Sequence, residues 1–344
     1  GKFDLKIHGG SSRGFPQKSL RFNFKSRYTG DFMINVMSQK PHIGSYSAIN
    51  LRNGGNRTRS DRIFDGLIST ISRNTDVDIM AYEPCIVYLN GEFWGIYSIR
   101  EKMDENYIES NHGIDSDEVD LINGNSRSSI NVYTGSDKHF IETYHELMNT
   151  VTNDSTFFNL IKSRFEIKNL IDYLIIETYI QNWDWLYNGS NNTKLWRPAS
   201  SGGKWRHMLY DVDLGFSMFG PQENYIDSCI LNPRHDSKHL DLFKRFLQND
   251  DFVCLFVSRY TDLVNTIFHT DSFSVFLDSL KNQIESAFPA HIDRWGGGSS
   301  YSVSSPPSFA VWENMIQSIE NRNDLRVNYS LQHLADKFNL SEIT

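Results

Sequence analysis

The sequence has few cysteines and no long apolar run. Its three cysteines, Cys85, Cys229 and Cys254, have spacings that fit neither a zinc motif nor a disulfide framework. They are predicted to be buried or half-buried thiols, with a single disulfide as the open alternative. No run of about eighteen apolar residues occurs, so the sequence predicts no membrane-spanning helix.

Positive charge is also scarce. The formal net charge is −8, and no Lys/Arg run dominates any segment, which argues against a protein that binds the phosphate backbone of nucleic acids. Hydrophobic residues make up 39% of the chain and charged residues 22%, a composition typical of a globular protein. A chain of 344 residues is long enough for two domains or one two-lobed unit.

The apolar pattern changes along the chain and predicts an α+β fold. Strands are predicted at 3–7, 19–24, 47–52, 84–89, 92–99 and 118–122. Helices are predicted from about 60, at 101–111, 138–151, 157–165, 167–181, 237–248, 251–269, 271–287, 308–320 and 328–338. We therefore divide the chain into a β-rich part, 1–130, and a mainly helical part, 131–344.

Residues 182–216 hold the densest set of candidate functional side chains. Asp184 follows the predicted helix 167–181, and Asn191 and Asn192 precede two predicted strands, 193–197 and 204–210. The second strand ends in Asp211-Val-Asp213-Leu-Gly215. Carboxylate and amide oxygens are ligands that Mg²⁺ and Ca²⁺ prefer, so this stretch predicts a metal and phosphate site.

A second candidate lies in the glycine and serine loop between the first two predicted strands. Such a loop lets backbone N–H groups approach phosphates closely, although it is also a common hairpin turn. Lys18 follows it as a candidate phosphate contact or a solvated lysine. The loop residues are Gly9, Gly10, Ser11 and Ser12.

Glu101 follows the clearest predicted hairpin, 84–99, whose turn is Asn90-Gly91. It is predicted to open the helix 101–111, where a glutamate favours the helix dipole.

These motifs together resemble the CotH kinase family, named after a spore coat protein. The central part reads N-x-D-W, N-N-x-K-x-W-R and K-W-R-x-x-x-x-D-x-D-x-G-F, and the hairpin reads N-G-x-x-x-G-x-Y-x-x-x-E. The glycine loop matches G-x-S-[ST] followed by K-S. The resemblance implies an atypical protein kinase with a two-lobed, protein-kinase-like fold. Residues 1–130 would form a nucleotide-binding N-lobe, and 131–344 a C-lobe with the catalytic and metal-binding residues.

The resemblance also implies roles for the central residues. Asp184 would be the catalytic base or hydroxyl-orienting group, and Asp211 the main Mg²⁺ ligand. Asn191 or Asn192 would hold the metal too, and Asp213 would be a second ligand or brace the loop. Gly215 would let the chain turn away.

The same resemblance assigns the N-terminal residues to nucleotide binding. Lys18 would contact the phosphates of ATP, and Glu101 would pair with Lys18, as a helix-borne glutamate does in protein kinases. The implied partner is a protein with a Ser/Thr acceptor, and the implied cofactors are ATP and Mg²⁺, with Ca²⁺ or Mn²⁺ as alternatives. Relatives occur in spore coats, at cell surfaces and in secreted settings.

One departure from the family pattern affects the asparagines. The family usually runs D-W-P-x-N-N, whereas here about three extra residues separate Asp184 from Asn191 and the proline is absent. The sequence therefore leaves open which of Asn188, Asn191 and Asn192 reaches the metal.

Two other functions stay open at this stage. A metal-dependent nucleotide-sugar transferase also uses D-x-D, and parallel strands before that motif would favour it. A non-catalytic surface adhesin could use D-x-D-x-G as a structural Ca²⁺ loop.

The H-x-x-x-H of His235 and His239 lacks the glutamate of a metalloprotease motif, and we interpret both as surface residues.

Overall fold

The computed structural model describes residues 2–24, 35–125, 129–153, 155–200, 202–297 and 303–340. These residues form an α+β structure with nine strands and eleven α-helices, which confirms the predicted fold class. The strands are β1 (Asp4–His8), β2 (Ser19–Asn23), β3 (Ala48–Arg52), β4 (Tyr82–Leu89), β5 (Glu92–Glu101), β6 (Val119–Gly124), β7 (Ile130–Thr134), β8 (Lys194–Pro198) and β9 (Arg206–His207). The helices are α1 (Phe64–Ile71), α2 (Glu105–His112), α3 (Lys138–Asn149), α4 (Ser155–Arg164), α5 (Ile167–Tyr179), α6 (Tyr225–Leu231), α7 (Lys238–Phe246), α8 (Asp250–Val264), α9 (Thr270–Glu285), α10 (Phe288–Trp295) and α11 (Phe309–Phe338).

The chain forms two compact units, each assembled from separate segments. The first unit comprises Gly1–Ile71, Met80–Asn111 and Phe273–Asn321. The second unit comprises Ser72–Ile79, His112–Ser272 and Arg322–Thr344. The boundary placed at residue 130 is not a limit of either unit, because it falls at the start of β7, which pairs with β6.

The first unit contains a five-stranded antiparallel sheet in the order β1-β2-β3-β5-β4. The β4–β5 hairpin turns through Asn90 (φ 53°) and Gly91 (φ 86°), and two left-handed residues in a two-residue turn match the twist of the flanking strands. Asp61 fixes the start of α1, because its Oδ1 accepts hydrogen bonds from the backbone N–H groups of Ile63 (3.1 Å) and Phe64 (2.8 Å). The predicted hairpin is confirmed, whereas the helix predicted from about residue 60 begins only at Phe64.

The second unit contains a four-stranded antiparallel sheet in the order β7-β6-β8-β9. Its core is formed largely by α5, from whose thirteen residues Asn169 to Tyr179 are all buried. This continuous burial explains the long apolar pattern that predicted the helix. The helix ends at Tyr179, and the turn that follows leads to Asp184.

Four predicted elements differ clearly from the structure. Glu101 is the last residue of β5 and not part of a helix; α2 begins later because Asp104 Oδ1 accepts the N–H of Tyr107 (3.2 Å) and its carbonyl that of Ile108 (3.2 Å). The predicted helices 308–320 and 328–338 are one helix, α11. The predicted strand 204–210 keeps only two strand residues, β9.

The cysteines are free thiols, and Cys254 is exposed, whereas Cys229 is buried and Cys85 half-buried. The prediction of partial burial is therefore wrong for Cys254. Over the described ranges, no helix is long and apolar enough to cross a membrane.

Candidate functional site

Asp184 lies just beyond the C-terminal end of α5. The helix ends at Tyr179, and Gln181 has a left-handed conformation (φ 53°) that turns the chain out of the helix. The side chain of Gln181 donates hydrogen bonds to the backbone carbonyls of Gly220 and Glu223, each at 3.0 Å. These bonds fix the turn that presents Asp184.

The carboxylate of Asp184 accepts hydrogen bonds from two asparagines. Nδ2 of Asn188 donates to Oδ1 at 2.7 Å, and Nδ2 of Asn192 donates to Oδ2 at 3.2 Å. Each carboxylate oxygen has two acceptor positions. The two bonds therefore orient Asp184 and leave it able to accept a further hydrogen bond from a substrate hydroxyl.

Asn192 also joins Asp184 to Asp211. Its Nδ2 lies 3.3 Å from the backbone carbonyl of Asp211. Asn192 and Asp211 both have φ 55°, a left-handed conformation that asparagine and aspartate adopt more readily than other non-glycine residues. The structure thus brings together three of the predicted residues, Asp184, Asn192 and Asp211. With Asn188 they form a set of four residues that we call the Asp184 cluster.

The segment that follows Asp211 is attached to the end of α5. The N–H of Phe216 donates to the carbonyl of Ile180 at 2.7 Å, and Phe216 itself has φ 52°. The predicted turning residue, Gly215, does not have a positive φ, so the left-handed position is Phe216 instead. Asp213 is 2% exposed and lies inside this turn.

The segment between Asp184 and Asn191 is anchored in the fold. Trp185 is fully buried and donates from Nε1 to the hydroxyl of Tyr173 at 2.9 Å. Within the described part of the chain, the side chain of Asn191 makes no hydrogen bond. Of the three asparagines left open by the sequence, Asn188 and Asn192 therefore contact Asp184, and Asn191 does not.

Gly124, at the end of β6, lets this loop approach the sheet. Its N–H donates to the carbonyl of Thr193 at 2.9 Å. A Cβ at this position would overlap the backbone carbonyl of Ser190 and Oγ1 of Thr193. Glycine is therefore needed where β6 supports the loop that carries Asn188 and Asn192.

Glu177 is a buried carboxyl group near Asp184 that the sequence analysis missed. It is fully buried, and burial raises its pKa to about 8, with a further increase from the charge of Asp184. A hydrogen bond from Asn182 Nδ2 to Oε2 (2.9 Å) acts in the opposite direction. No local pattern marks Glu177, because it lies within the apolar helix α5.

The Asp184 cluster offers oxygen ligands for a divalent cation. Among the described residues there is no group of three or more His, Cys, Asp or Glu that could hold a metal ion. The predicted set contains two carboxylates, Asp211 and Asp213, and its other members are amides. The Oδ1 of Asn192 accepts no hydrogen bond within the described ranges, so the donor set consists of hard oxygens and fits Mg²⁺ or Ca²⁺.

The predicted phosphate loop lies in the first unit, between β1 and β2. Gly9 has φ 116°, and a Cβ there would overlap Ser12 Oγ. Residues Ser11–Gly14 form a short 3-10 helix between two antiparallel strands.

The predicted pair of Lys18 and Glu101 is not formed. Nζ of Lys18 donates to the carbonyl of Arg13 at 2.7 Å on the surface, so Lys18 closes the glycine loop. The carboxylate of Glu101 is 2.7 Å from Nζ of Lys40 and accepts the N–H of Ala81 at 2.8 Å. Glu101 is the last residue of β5 and its side chain is buried. It therefore pairs with Lys40 and not with Lys18, which lies on the surface.

Lys40 is therefore the lysine that pairs with Glu101, and no sequence motif marks it. It is 8% exposed, and its Nζ also donates to Asn111 Oδ1 at 2.8 Å and Tyr107 OH at 3.2 Å. The ammonium group lies 4.5 Å from the centre of the Tyr107 ring. A buried lysine with this many partners is held in one position.

Some aromatic residues of the segment 182–216 are buried and others are only half-buried. Trp185, Trp196 and Trp205 are buried and belong to the core of the second unit. Trp183 and Tyr187 are half-buried with ring centres 6.5 Å apart. These two rings therefore lie outside that core.

His239 is buried, contrary to the surface position expected of it. It is 7% exposed, its ring centre lies 4.9 Å from that of Phe140, and burial lowers its pKa to about 4. His235 is exposed.

Comparison with known proteins identifies the family. A family model described as CotH kinase protein matches residues 5–326, a span that contains the glycine loop, the hairpin and the whole Asp184 cluster. No curated protein matches the chain. Family membership points in general to a kinase or phosphotransferase. With a match over most of its length, the chain belongs to the CotH kinase family.

Proposed function

We propose that this protein is an atypical protein kinase that transfers the γ-phosphoryl group of ATP to a Ser or Thr of a protein partner. The observation that carries the proposal is the Asp184 cluster. Two asparagines orient the carboxylate of Asp184, and Asn192 links it to Asp211. Phosphoryl transfer needs an oriented carboxylate beside the attacking hydroxyl and oxygen ligands for a metal.

Asp184 serves in this proposal as the group that accepts or orients the proton of the substrate hydroxyl. Asp211 and Asn192 would hold Mg²⁺, which neutralises charge on the triphosphate when bound. Asp213 braces the turn or supplies a second carboxylate, and Asn188 orients Asp184. Ca²⁺ or Mn²⁺ would suit the same oxygen ligands.

The residues of the first unit keep a proposed role in nucleotide binding. The glycine loop, Gly9 to Ser12, offers backbone N–H groups for phosphate, and Lys18 follows it in the sequence as the candidate lysine. Lys40 joins the candidates, because a lysine paired with a buried glutamate is the arrangement that protein kinases use to orient phosphates. A two-lobed, kinase-like arrangement is part of the proposal.

The nucleotide-sugar transferase is the weaker alternative. All pairings between named strands are antiparallel, whereas parallel strands before Asp211-Val-Asp213 would have favoured it. The melting temperature with ATP, Mg²⁺ and Ca²⁺ distinguishes a non-catalytic adhesin from the kinase.

The test is the melting temperature with ATP and Mg²⁺, alone and together. A kinase is expected to gain about 3 kcal/mol of stability at a nucleotide concentration of about one hundred times Kd, and Asp211→Asn is expected to lose the Mg²⁺-dependent part. Ca²⁺ that raises the melting temperature without any effect of ATP would contradict the kinase and support the adhesin.

A further inference from the structure

Glu177 is only half satisfied in its buried position. Its Oε2 accepts the hydrogen bond from Asn182, but Oε1 has no hydrogen-bond partner among the described residues. A buried carboxylate oxygen without a partner is costly, whereas a neutral carboxylic acid is much less so. The geometry therefore favours a protonated side chain.

The groups around Glu177 offer no positive charge. Tyr173 faces it from α5, Asp184 from the following turn, and Tyr225 and Cys229 from α6. None of these described neighbours is a cation, and Asp184 is an acid. Burial and the charge of Asp184 raise the pKa of Glu177 to about 8, which agrees with the geometry.

Asn182 connects Glu177 to Asp184. Its Nδ2 donates to Glu177, and its Oδ1 accepts the backbone N–H of Asp184 at 3.3 Å. The backbone N–H of Asn182 donates to the carbonyl of Glu177 at 3.2 Å, and its carbonyl accepts from the hydroxyl of Tyr225. Glu177 thus fixes the side chain of Asn182, which in turn binds the backbone N–H of Asp184.

We propose that Glu177 is a positioning residue that acts, as an uncharged carboxylic acid, through Asn182 to fix Asp184. The assignment rests on the proposed kinase function, because it names the support of the proposed base. Loss of the proton would place a second negative charge beside Asp184 and leave a carboxylate oxygen unpaired. The turn would then shift, and transfer would fall.

The first test follows the backbone amide of Asp184 by nuclear magnetic resonance while the pH is raised. In the wild type the amide signal is expected to move with a midpoint near pH 8, and in Glu177→Gln this step is expected to be absent. A signal that behaves alike in both proteins would overturn the proposal. This readout needs no enzymatic activity.

The second test measures phosphoryl transfer against pH. Glu177→Ala is expected to lower kcat about tenfold with little change in KM for ATP, and Glu177→Gln to restore most of that loss and to lack the alkaline fall. Asp172→Asn is the matched control, because Asp172 is a buried carboxyl of α5 paired with Arg259 at 2.7 Å. It should lower stability but keep the alkaline fall.

The outcomes separate the two proposals. A glutamine variant that transfers no better than the alanine variant would overturn the positioning role. Wild type that transfers nothing at any pH, while its Asp184 amide still titrates with Glu177, would overturn the kinase and leave the coupling of Glu177 to Asp184 established.

Discussion

Glu101 and Glu177 are both buried carboxyl groups, but the protein compensates their burial in different ways. Glu101 has Lys40 at 2.7 Å, the N–H of Ala81 at 2.8 Å and Nδ2 of Asn111 at 3.1 Å. Glu177 has one amide partner, and burial raises its pKa to about 8. A buried carboxyl group needs either a cation or a proton, and the two glutamates show the two solutions.

The difference matters for the site because each glutamate supports a different candidate residue. Glu101 fixes Lys40, a cation, so its own charge is required. Glu177 supports Asp184, an anion, and a charge on Glu177 would oppose it. The comparison therefore predicts that a negative charge stabilises the fold at Glu101 and destabilises it at Glu177.

The largest expected effect is on the Lys40–Glu101 pair. Lys40→Met is expected to lower the free energy of unfolding by about 3–5 kcal/mol, because it leaves Glu101 buried without its cation. Lys18→Met is the matched control and should cost less than about 1 kcal/mol, since Lys18 makes an exposed bond to a carbonyl. Equal losses in denaturant titrations would show that Lys40 and Glu101 do not form a buried pair.

A smaller effect is expected from Glu177→Gln, and it depends on pH. The folded protein retains a proton on Glu177 between about pH 4.5 and about pH 8, whereas the unfolded chain has lost it. Wild-type stability therefore falls as the pH rises through this window. The glutamine variant should lack this component and be more stable than the wild type at pH 7, by on the order of 3 kcal/mol. Denaturant titrations across the window measure this, and identical pH dependence of the two proteins would refute a neutral Glu177.

The smallest effect is expected at two glycines, one near each candidate region. Gly124→Ala should destabilise by about 1–3 kcal/mol, because the new methyl group overlaps the loop carbonyl of Ser190. Gly14→Ala should change stability by less than about 0.5 kcal/mol, because Gly14 lies in the 3-10 helix Ser11–Gly14 and a Cβ there has no atom within 4 Å. Thermal unfolding of both variants measures the difference, and a tolerant Gly124 would show that the Asp184 loop is loosely held.

Local sequence patterns predicted the elements that are determined locally. The helix predicted at 167–181 is α5, since its apolar residues are buried on all sides, and the Asn90-Gly91 turn has the two positive φ angles that this dipeptide favours. Helix 101–111 was wrong at its start, because the side chain of Asp104 determines where α2 begins. The spacing of apolar residues, from which the helix was predicted, does not reveal this hydrogen bond.

Some residues of the candidate site could likewise be predicted from the sequence, and others could not. Motif spacing indicated Asp184, Asn192 and Asp211, and the structure brings these residues together. The partner of Glu101 could not be predicted, because Lys40 reaches it only through the folded first unit. Glu177 could not be predicted either, since a glutamate within a buried helix has no local signature.

The most direct test of the central claim is Mg²⁺-dependent transfer of labelled γ-phosphate to the protein itself or to a generic Ser/Thr substrate. Wild type is expected to transfer phosphate, and Asp184→Asn and Asp211→Asn to lower the rate by about a hundredfold or more. Asp262→Asn, an exposed carboxylate of α8, is the control and should transfer at the wild-type rate. Absence of transfer by the wild type with Mg²⁺, Mn²⁺ or Ca²⁺, or wild-type rates in both cluster variants, would contradict the account.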